Sequence, residues 1–321
     1  MRTTVLGIAV IAILSIGTGD VRAQRLRPGL LERLREARAQ RAQDGNDATA
    51  TGLSFGGLER SYQLLDAHRG TAPVPLVIVL HGGGGNGATM IARWATQAKA
   101  AGIVVAAPNG IGRRDGMGTW NASGCCGEAM SRGADDVGFV GAVIDDVAKR
   151  ANIDRARIYV TGFSNGGMLT HRVAIAFGNR IAAAAVVSGA MFGNEARAVT
   201  PVPILIMHGE KDMVVGFNGG ISPTGFVARA QSKPFLPVRQ TVSFWRDTNG
   251  CAAAPAIARE RDVTIERSRG CRNGADVQFY DLPQGGHTWP GSPGLGGSDN
   301  ADRGSLDATA TIWAFFQAHA R

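Results

Sequence analysis

A serine held between glycines, an aspartate and a histidine, met in that order along the chain, are the residues equipped to attack a carbonyl. The serine is Ser164 in Gly162-Phe-Ser-Asn-Gly166, the aspartate is Asp212 at the end of His208-Gly-Glu-Lys-Asp212, and the histidine is His287 in Gly286-His-Thr-Trp-Pro-Gly291. A serine hydroxyl is a weak nucleophile unless a base takes its proton, and an imidazole does so when a carboxylate fixes its tautomer. The three types together point to acyl transfer through a covalent intermediate, a reaction for which no cofactor or metal is implied.

The elements that must position them can be read on either side of each residue. Ile158-Tyr-Val160 is a short apolar run expected to be a buried strand, and 168–175 resumes at helical spacing after the glycine turn. Strand, G-x-S-x-G and helix in that order form a nucleophile elbow, which raises a serine above a sheet edge at the positive end of a helix. A chain with 45 glycines also produces such pentapeptides in ordinary tight turns; the flanking strand and helix favour the elbow. Asp212 follows the apolar run 203–207, as an acid just past a late strand should, with Glu210 as its competitor. Six histidines are present, but only His287 follows the last expected strand, 277–281, on a glycine-rich loop.

A further glycine cluster, His81-Gly-Gly-Gly-Gly-Asn86, ends the continuous apolar run 75–80, a strand expected to be buried on both faces. Backbone without side chains can approach a carbonyl and aim N–H groups at a developing oxyanion. Helices are expected over 88–101, 137–150, 238–246 and 306–319, and further strands over 61–65, 102–107, 181–187 and 263–268. This alternation predicts an α/β fold with a mostly parallel central sheet flanked by helices, in one domain.

The remaining segments frame that domain. Residues 1–23 have the form of a secretory signal, with Arg2, an apolar core over 5–17 and a Val21-Arg-Ala23 cleavage site. The mature protein is therefore expected to be secreted or periplasmic, with no membrane span. Residues 24–52 read as a flexible basic arm and linker, and 53–321 as the catalytic domain. The net charge of +8 is spread over scattered arginines with no aromatic-rich motif, which argues against a nucleic-acid partner. Export makes the four cysteines disulfide candidates. Cys251 and Cys271 bracket a small excursion and are the expected pair, while Cys125 and Cys126 either bridge each other or seek distant partners. No C-x-x-C or histidine cluster suggests a metal site. The long loop 111–134 carries Trp120, which reads as a wall of the substrate cleft, with loop packing as the alternative; Asp136 is expected to cap the helix that follows.

Taken together, His81-Gly-Gly-Gly84, Trp120-Asn121 with Cys125-Cys126-Gly127, Asp135-Asp136-Val-Gly-Phe139, Gly162-Phe-Ser-Asn-Gly166, His208-Gly-Glu-Lys-Asp212 and Gly286-His-Thr-Trp-Pro-Gly291 resemble the secreted poly(3-hydroxybutyrate) depolymerase-like and feruloyl-esterase-like α/β-hydrolases, related to carbohydrate esterases. The resemblance implies an α/β-hydrolase fold, a Ser164–His287–Asp212 triad and an oxyanion hole made by the amides of Gly83 and Asn165. It also implies ester substrates, either polyester oligomers or aromatic and acetyl esters of polysaccharides. Aromatic acyl groups would suit Trp120 and Trp289 if both line the cleft. No threonine-rich linker or polymer-adsorbing segment follows His287, which favours soluble or oligomeric substrates. A noncatalytic binding protein on the same fold and a serine peptidase are the competing classes.

Overall fold

The computed structural model describes residues 47–114, 116–291 and 306–321. The signal and most of the arm read from the sequence lie outside these residues. Among them, ten strands form one sheet in the order β1-β2-β4-β3-β5-β6-β7-β10-β9-β8. The strands are β1 (Thr49–Phe55), β2 (Leu58–Asp66), β3 (Val74–Leu80), β4 (Val104–Pro108), β5 (Ile153–Phe163), β6 (Ala183–Val187), β7 (Ile204–Gly209), β8 (Ala256–Glu260), β9 (Val263–Ser268) and β10 (Val277–Leu282). Strands β4, β3, β5, β6, β7 and β10 run parallel as the sheet's centre, and antiparallel pairs extend it at both ends. Strand β1 begins at Thr49, four residues ahead of the expected domain start, so the end of the expected linker is sheet. Thr49–Phe55 pairs residue for residue with Leu58–Leu64, which satisfies backbone groups a solvated linker would leave to water.

Seven α-helices flank the sheet among the described residues: α1 (Gly87–Ala101), α2 (Gly127–Ser131), α3 (Asp136–Arg150), α4 (Asn165–Phe177), α5 (Gly225–Ala230), α6 (Val238–Asn249) and α7 (Ala308–Gln317). The continuous apolar runs are explained by burial on both faces. On β3, Leu76, Ile78 and Leu80 join one core with residues of α3, α4 and α6, while Val77 and Val79 join a second with residues of α1 and α7. The same period of two divides Ile204 and Ile206 from Leu205 and Met207 on β7. Both faces being apolar, the polar chemistry is left to the loops at the strands' carboxyl ends, where open α/β sheets bind ligands.

Helix α3 corrects one reading. Its cap is Asp135, whose Oδ1 accepts from the Gly138 amide at 2.8 Å. Asp136 is buried instead, pairing with Arg60 at 2.8 Å and accepting from the Asn121 amide at 2.7 Å. Burial pushes its carboxyl upward against the pull of Arg60. Two adjacent acids offer the same local signal, and only the distant arginine decides which turns inward.

Candidate active site

Strand β5 delivers Phe163 and then turns within one residue into α4. Ser164 sits at the turn with φ 54° and ψ −121°, a conformation that L-residues rarely adopt. Its amide is tied to the Val187 carbonyl at 2.9 Å, and its carbonyl receives the Met168 amide at 2.9 Å. The glycines on either side are demanded by close approach. A Cβ on Gly162 would lie 2.3 Å from the Gly166 carbonyl oxygen, and one on Gly166 would lie 2.4 Å from that of His81. Gly166→Ala is therefore expected to lower stability by roughly 1–3 kcal/mol and to slow turnover, because the strand leading into the oxyanion loop must shift. Denaturant titration with a parallel kcat measurement tests this; an unchanged midpoint would contradict it.

Loops from β5, β7 and β10 meet at this turn. His287 Nε2 lies 2.9 Å from Ser164 Oγ, and His287 Nδ1 lies 2.7 Å from Asp212 Oδ2. The carboxylate accepts from Nδ1–H, so Nε2 presents its lone pair to the serine hydroxyl. Asp212 Oδ1 is itself held by the amides of Val214 and Val215 at 2.8 and 2.7 Å. Glu210, its competitor, faces a separate charged cleft with Arg239 and Asp281. Ser164 is 9 % exposed and Asp212 buried, so the line is shielded from water yet open at the hydroxyl.

Gly83 and Asn165 stand side by side next to the serine. A Cβ on Gly83 would make ordinary contact, 3.7 Å, with the Asn165 Cβ. Among the described residues neither backbone amide has a partner, whereas the Ser164 amide is already used. The loop carrying Gly83 is braced from beneath. Trp120 Nε1 donates to the His81 carbonyl at 2.8 Å, its ring lies 4.7 Å from the His81 ring, and Asn165 clamps the Trp120 backbone through both its side-chain oxygen and nitrogen. His81 Nε2 accepts from the Gly110 amide at 2.9 Å, so its proton is on Nδ1, donated to the Gly82 carbonyl at 2.8 Å.

This bracing corrects the reading of both tryptophans as cleft walls. Trp120 is wholly buried, and Trp289 is buried with its Nε1–H donated to Thr309 Oγ1 at 3.0 Å, beneath Phe163 and beside Arg93. Each indole N–H is occupied by the fold, so both rings support the loops from behind. Among the described residues, the excursion following Asp212 carries three large apolar side chains that face solvent, Met213, Ile221 and Phe226, 64 %, 60 % and 68 % exposed. Nothing in their spacing marks them in the sequence. Cys251 is joined to Cys271, and Cys125 to Cys126, the adjacent pair lying inside the long loop against Met168 and Phe192. No group of three or more His, Cys, Asp or Glu able to hold a metal is gathered among the described residues.

Burial has a measurable consequence at three other histidines. His81 is pushed down to about 4 and His171 to about 3, and His208 is lowered as well, all chiefly by desolvation. An unfolded histidine titrates near 6.5, so the unfolded chain takes up protons first as pH falls. Stability is then full above about 6.5 and is lost as pH drops toward 4, at up to about 1.4 kcal/mol per pH unit for each such histidine. Urea midpoints followed from pH 7.5 to 4.5 should decline; a flat profile would contradict the buried neutral assignments.

The mostly parallel sheet, the elbow after β5 and the loops after β3, β7 and β10 are those of an α/β-hydrolase. Residues 68–232, just over half of the chain, match the phospholipase/carboxylesterase family model, a span that includes Ser164 and Asp212 and stops short of His287. The chain belongs to this family and is a carboxylic ester hydrolase. It is 30 % identical to a putative esterase, NocK, of Nocardia uniformis over 76 % of this chain and 75 % of that one. Feruloyl esterase C of Emericella nidulans is 28 % identical, covering 82 % of this chain and 84 % of its own. Feruloyl esterase B of Piromyces equi is 31 % identical over 52 % of this chain, which spans only 31 % of that larger protein. In structure, the acetyl xylan esterase from Aspergillus awamori shares the fold with a TM-score of 0.57 at 15 % identity, covering 84 % of this chain and 99 % of its own. No described helix is long and apolar enough to cross a membrane.

Proposed function

We propose that the protein is an exported serine esterase that works through an acyl-enzyme on aromatic or acetyl esters of polysaccharides, with polyester oligomers as the rival substrates. The observation that carries this reading is the unbroken line from Ser164 Oγ through His287 to Asp212, at 2.9 and 2.7 Å, in the tautomer that leaves Nε2 a proton acceptor. In the first half-reaction His287 takes the serine proton as Oγ attacks the ester carbonyl, and Asp212 stabilises the imidazolium. The carbonyl oxygen becomes an oxyanion, met by the amides of Gly83 and Asn165; losing one such donor typically costs about 2.7–4 kcal/mol of barrier. His287 then protonates the departing alcohol. In the second half-reaction it activates water against the acyl-serine and returns the proton to Ser164.

Two features support the substrate class. Met213, Ile221 and Phe226 offer apolar surface beside the loop that carries Asp212, suited to a flat acyl group or a polyester chain. A relative named feruloyl esterase C aligns over 82 % of this chain. Two disulfides fit an oxidising compartment and hence export. Side-by-side kcat/KM values on methyl ferulate, an acetylated xylan and hydroxybutyrate oligomers test the assignment. Methyl ferulate or the xylan is expected to be the better substrate; preference for the oligomers would reassign the enzyme to polyesters, and failure on all three would remove the proposed substrate classes. Phe226→Ala should raise KM for methyl ferulate severalfold while leaving KM for a p-nitrophenyl acetate little changed.

A further inference from the structure

Behind the acid of the proposed triad lies a second set of buried polar groups that the ester chemistry does not use. His208, next to last in β7, has its Nε2 2.8 Å from the Val215 carbonyl and 3.5 Å from Asp212 Oδ2. A carbonyl only accepts, so Nε2 carries the proton and Nδ1 keeps a lone pair; that Nδ1 is buried and has no hydrogen-bond partner. On α4, His171 Nδ1 accepts from Trp245 Nε1–H at 3.0 Å, and indole only donates. The proton of His171 is thus on Nε2, which is also buried and unpartnered. One imidazole offers a spare donor and the other a spare acceptor.

The elements that carry these atoms pack against one another around α6. His208 shares a face of β7 with Ile204 and Ile206, which pack in one core with Trp245 of α6. The Phe217 ring stands edge-on to His208 at 6.1 Å, and its carbonyl receives the Val238 amide, which puts the first turn of α6 beside His208. Thr241 lies one turn before Trp245 on the buried face of that helix, and its Oγ1 is a third buried polar atom without a partner. The His171 ring stacks on that of Trp245 with centroids 6.0 Å apart, and His208 is among the groups that lower its titration. A buried water typically makes about three hydrogen bonds to groups of this kind.

We propose that His171 Nε2–H, His208 Nδ1 and Thr241 Oγ1 enclose one ordered water, and that through it His171 locks His208 in the Nε2–H tautomer, making His208 a positioning residue for Asp212. The water accepts from His171, donates to His208 and satisfies the threonine hydroxyl. His208 then fixes the Val215 carbonyl, and with it the segment whose amides hold Asp212 Oδ1, which keeps the carboxylate turned toward His287. This rests on Asp212 being the triad acid.

Nitrogen-15 spectra of the histidine-labelled protein test it without any substitution. Both His171 and His208 should be neutral Nε2–H tautomers, with the His171 N–H protected from solvent exchange; an Nδ1–H tautomer at either residue overturns the proposal. In kinetics, His171→Leu should lower kcat on the order of tenfold, below the roughly hundredfold that an ångström of misplacement can cost, with KM unchanged. His171→Gln, which keeps an amide donor, should recover most of that loss, a rescue that a purely packing role would not produce. Wild-type kcat in His171→Leu, or no recovery in His171→Gln, would overturn it. Ser164→Ala is assayed alongside: turnover by that variant removes the triad and this inference together, whereas an inert Ser164→Ala beside an unaffected His171→Leu removes only the inference.

Discussion

Replacing Ser164 by alanine is expected to lower turnover of a p-nitrophenyl short-chain ester by roughly a million-fold, the scale on which a serine hydrolase loses its nucleophile. The reason is structural as well as chemical. No other hydroxyl occupies the 2.9 Å position opposite His287 Nε2, and the Ser164 amide is committed to Val187, so alanine leaves an intact elbow with nothing to attack the carbonyl. Stability should be retained, because the side chain supports no backbone group. Ser164→Gly separates function from strain. At φ 54° and ψ −121° the serine sits in a sparsely populated region that costs about 1–3 kcal/mol, against about 0.5–1 kcal/mol for the extra entropy of an unfolded glycine. The glycine variant should therefore be equally inert and more stable, by about 1 kcal/mol. Stoichiometric labelling by an organophosphonate should disappear in both variants. Turnover that survives in either would reassign the nucleophile.

Asp212→Asn should reduce kcat by about ten-thousandfold with little change in fold. The local hydrogen bonds dictate how the amide must sit. Oδ1 receives the Val214 and Val215 amides, so asparagine keeps its carbonyl there and turns its NH2 toward His287 Nδ1. Nδ1 then has to accept, the imidazole proton moves to Nε2, and Nε2 faces Ser164 as a donor that can no longer take its proton. The same NH2 gains no acceptor from His208, whose Nε2, 3.5 Å away in the native arrangement, donates its proton to the Val215 carbonyl. Rate measurements with a phosphonate-labelling time course test this. Near-native kcat would mean that another carboxylate orients His287, and Glu210 would be the first to examine.

The site was legible where its chemistry is encoded locally. A G-x-S-x-G turn needs glycine at Gly162 and Gly166 because the neighbouring carbonyls come within 2.5 Å of where a Cβ would be, and that requirement appears directly as residue type. Asp212 and His287 were findable because loops at the carboxyl ends of parallel strands converge, so position after a strand stands in for position in space. The tryptophans were not legible in the same way. An indole on a loop looks alike in sequence whether it faces a substrate or a carbonyl, and Trp120 was decided by His81, 39 residues away. Strand β8 and helix α5 were likewise missed, since the exposed Ala256–Glu260 has little apolar periodicity and α5 buries no side chain.

The sequence by itself determined the fold class, the alternation of buried strands and amphipathic helices, and the three residues that form the hydrogen-bonded line, because each follows from residue type and spacing along the chain. Only the tertiary structure decided that Asp135 caps α3 while Asp136 turns inward to Arg60, that Cys125 pairs with its neighbour, that the two tryptophans brace loops, and that His208 stands behind Asp212. Those outcomes depend on which distant donor or acceptor is left to satisfy once the chain is packed, and a buried polar group must find a partner wherever the fold supplies one.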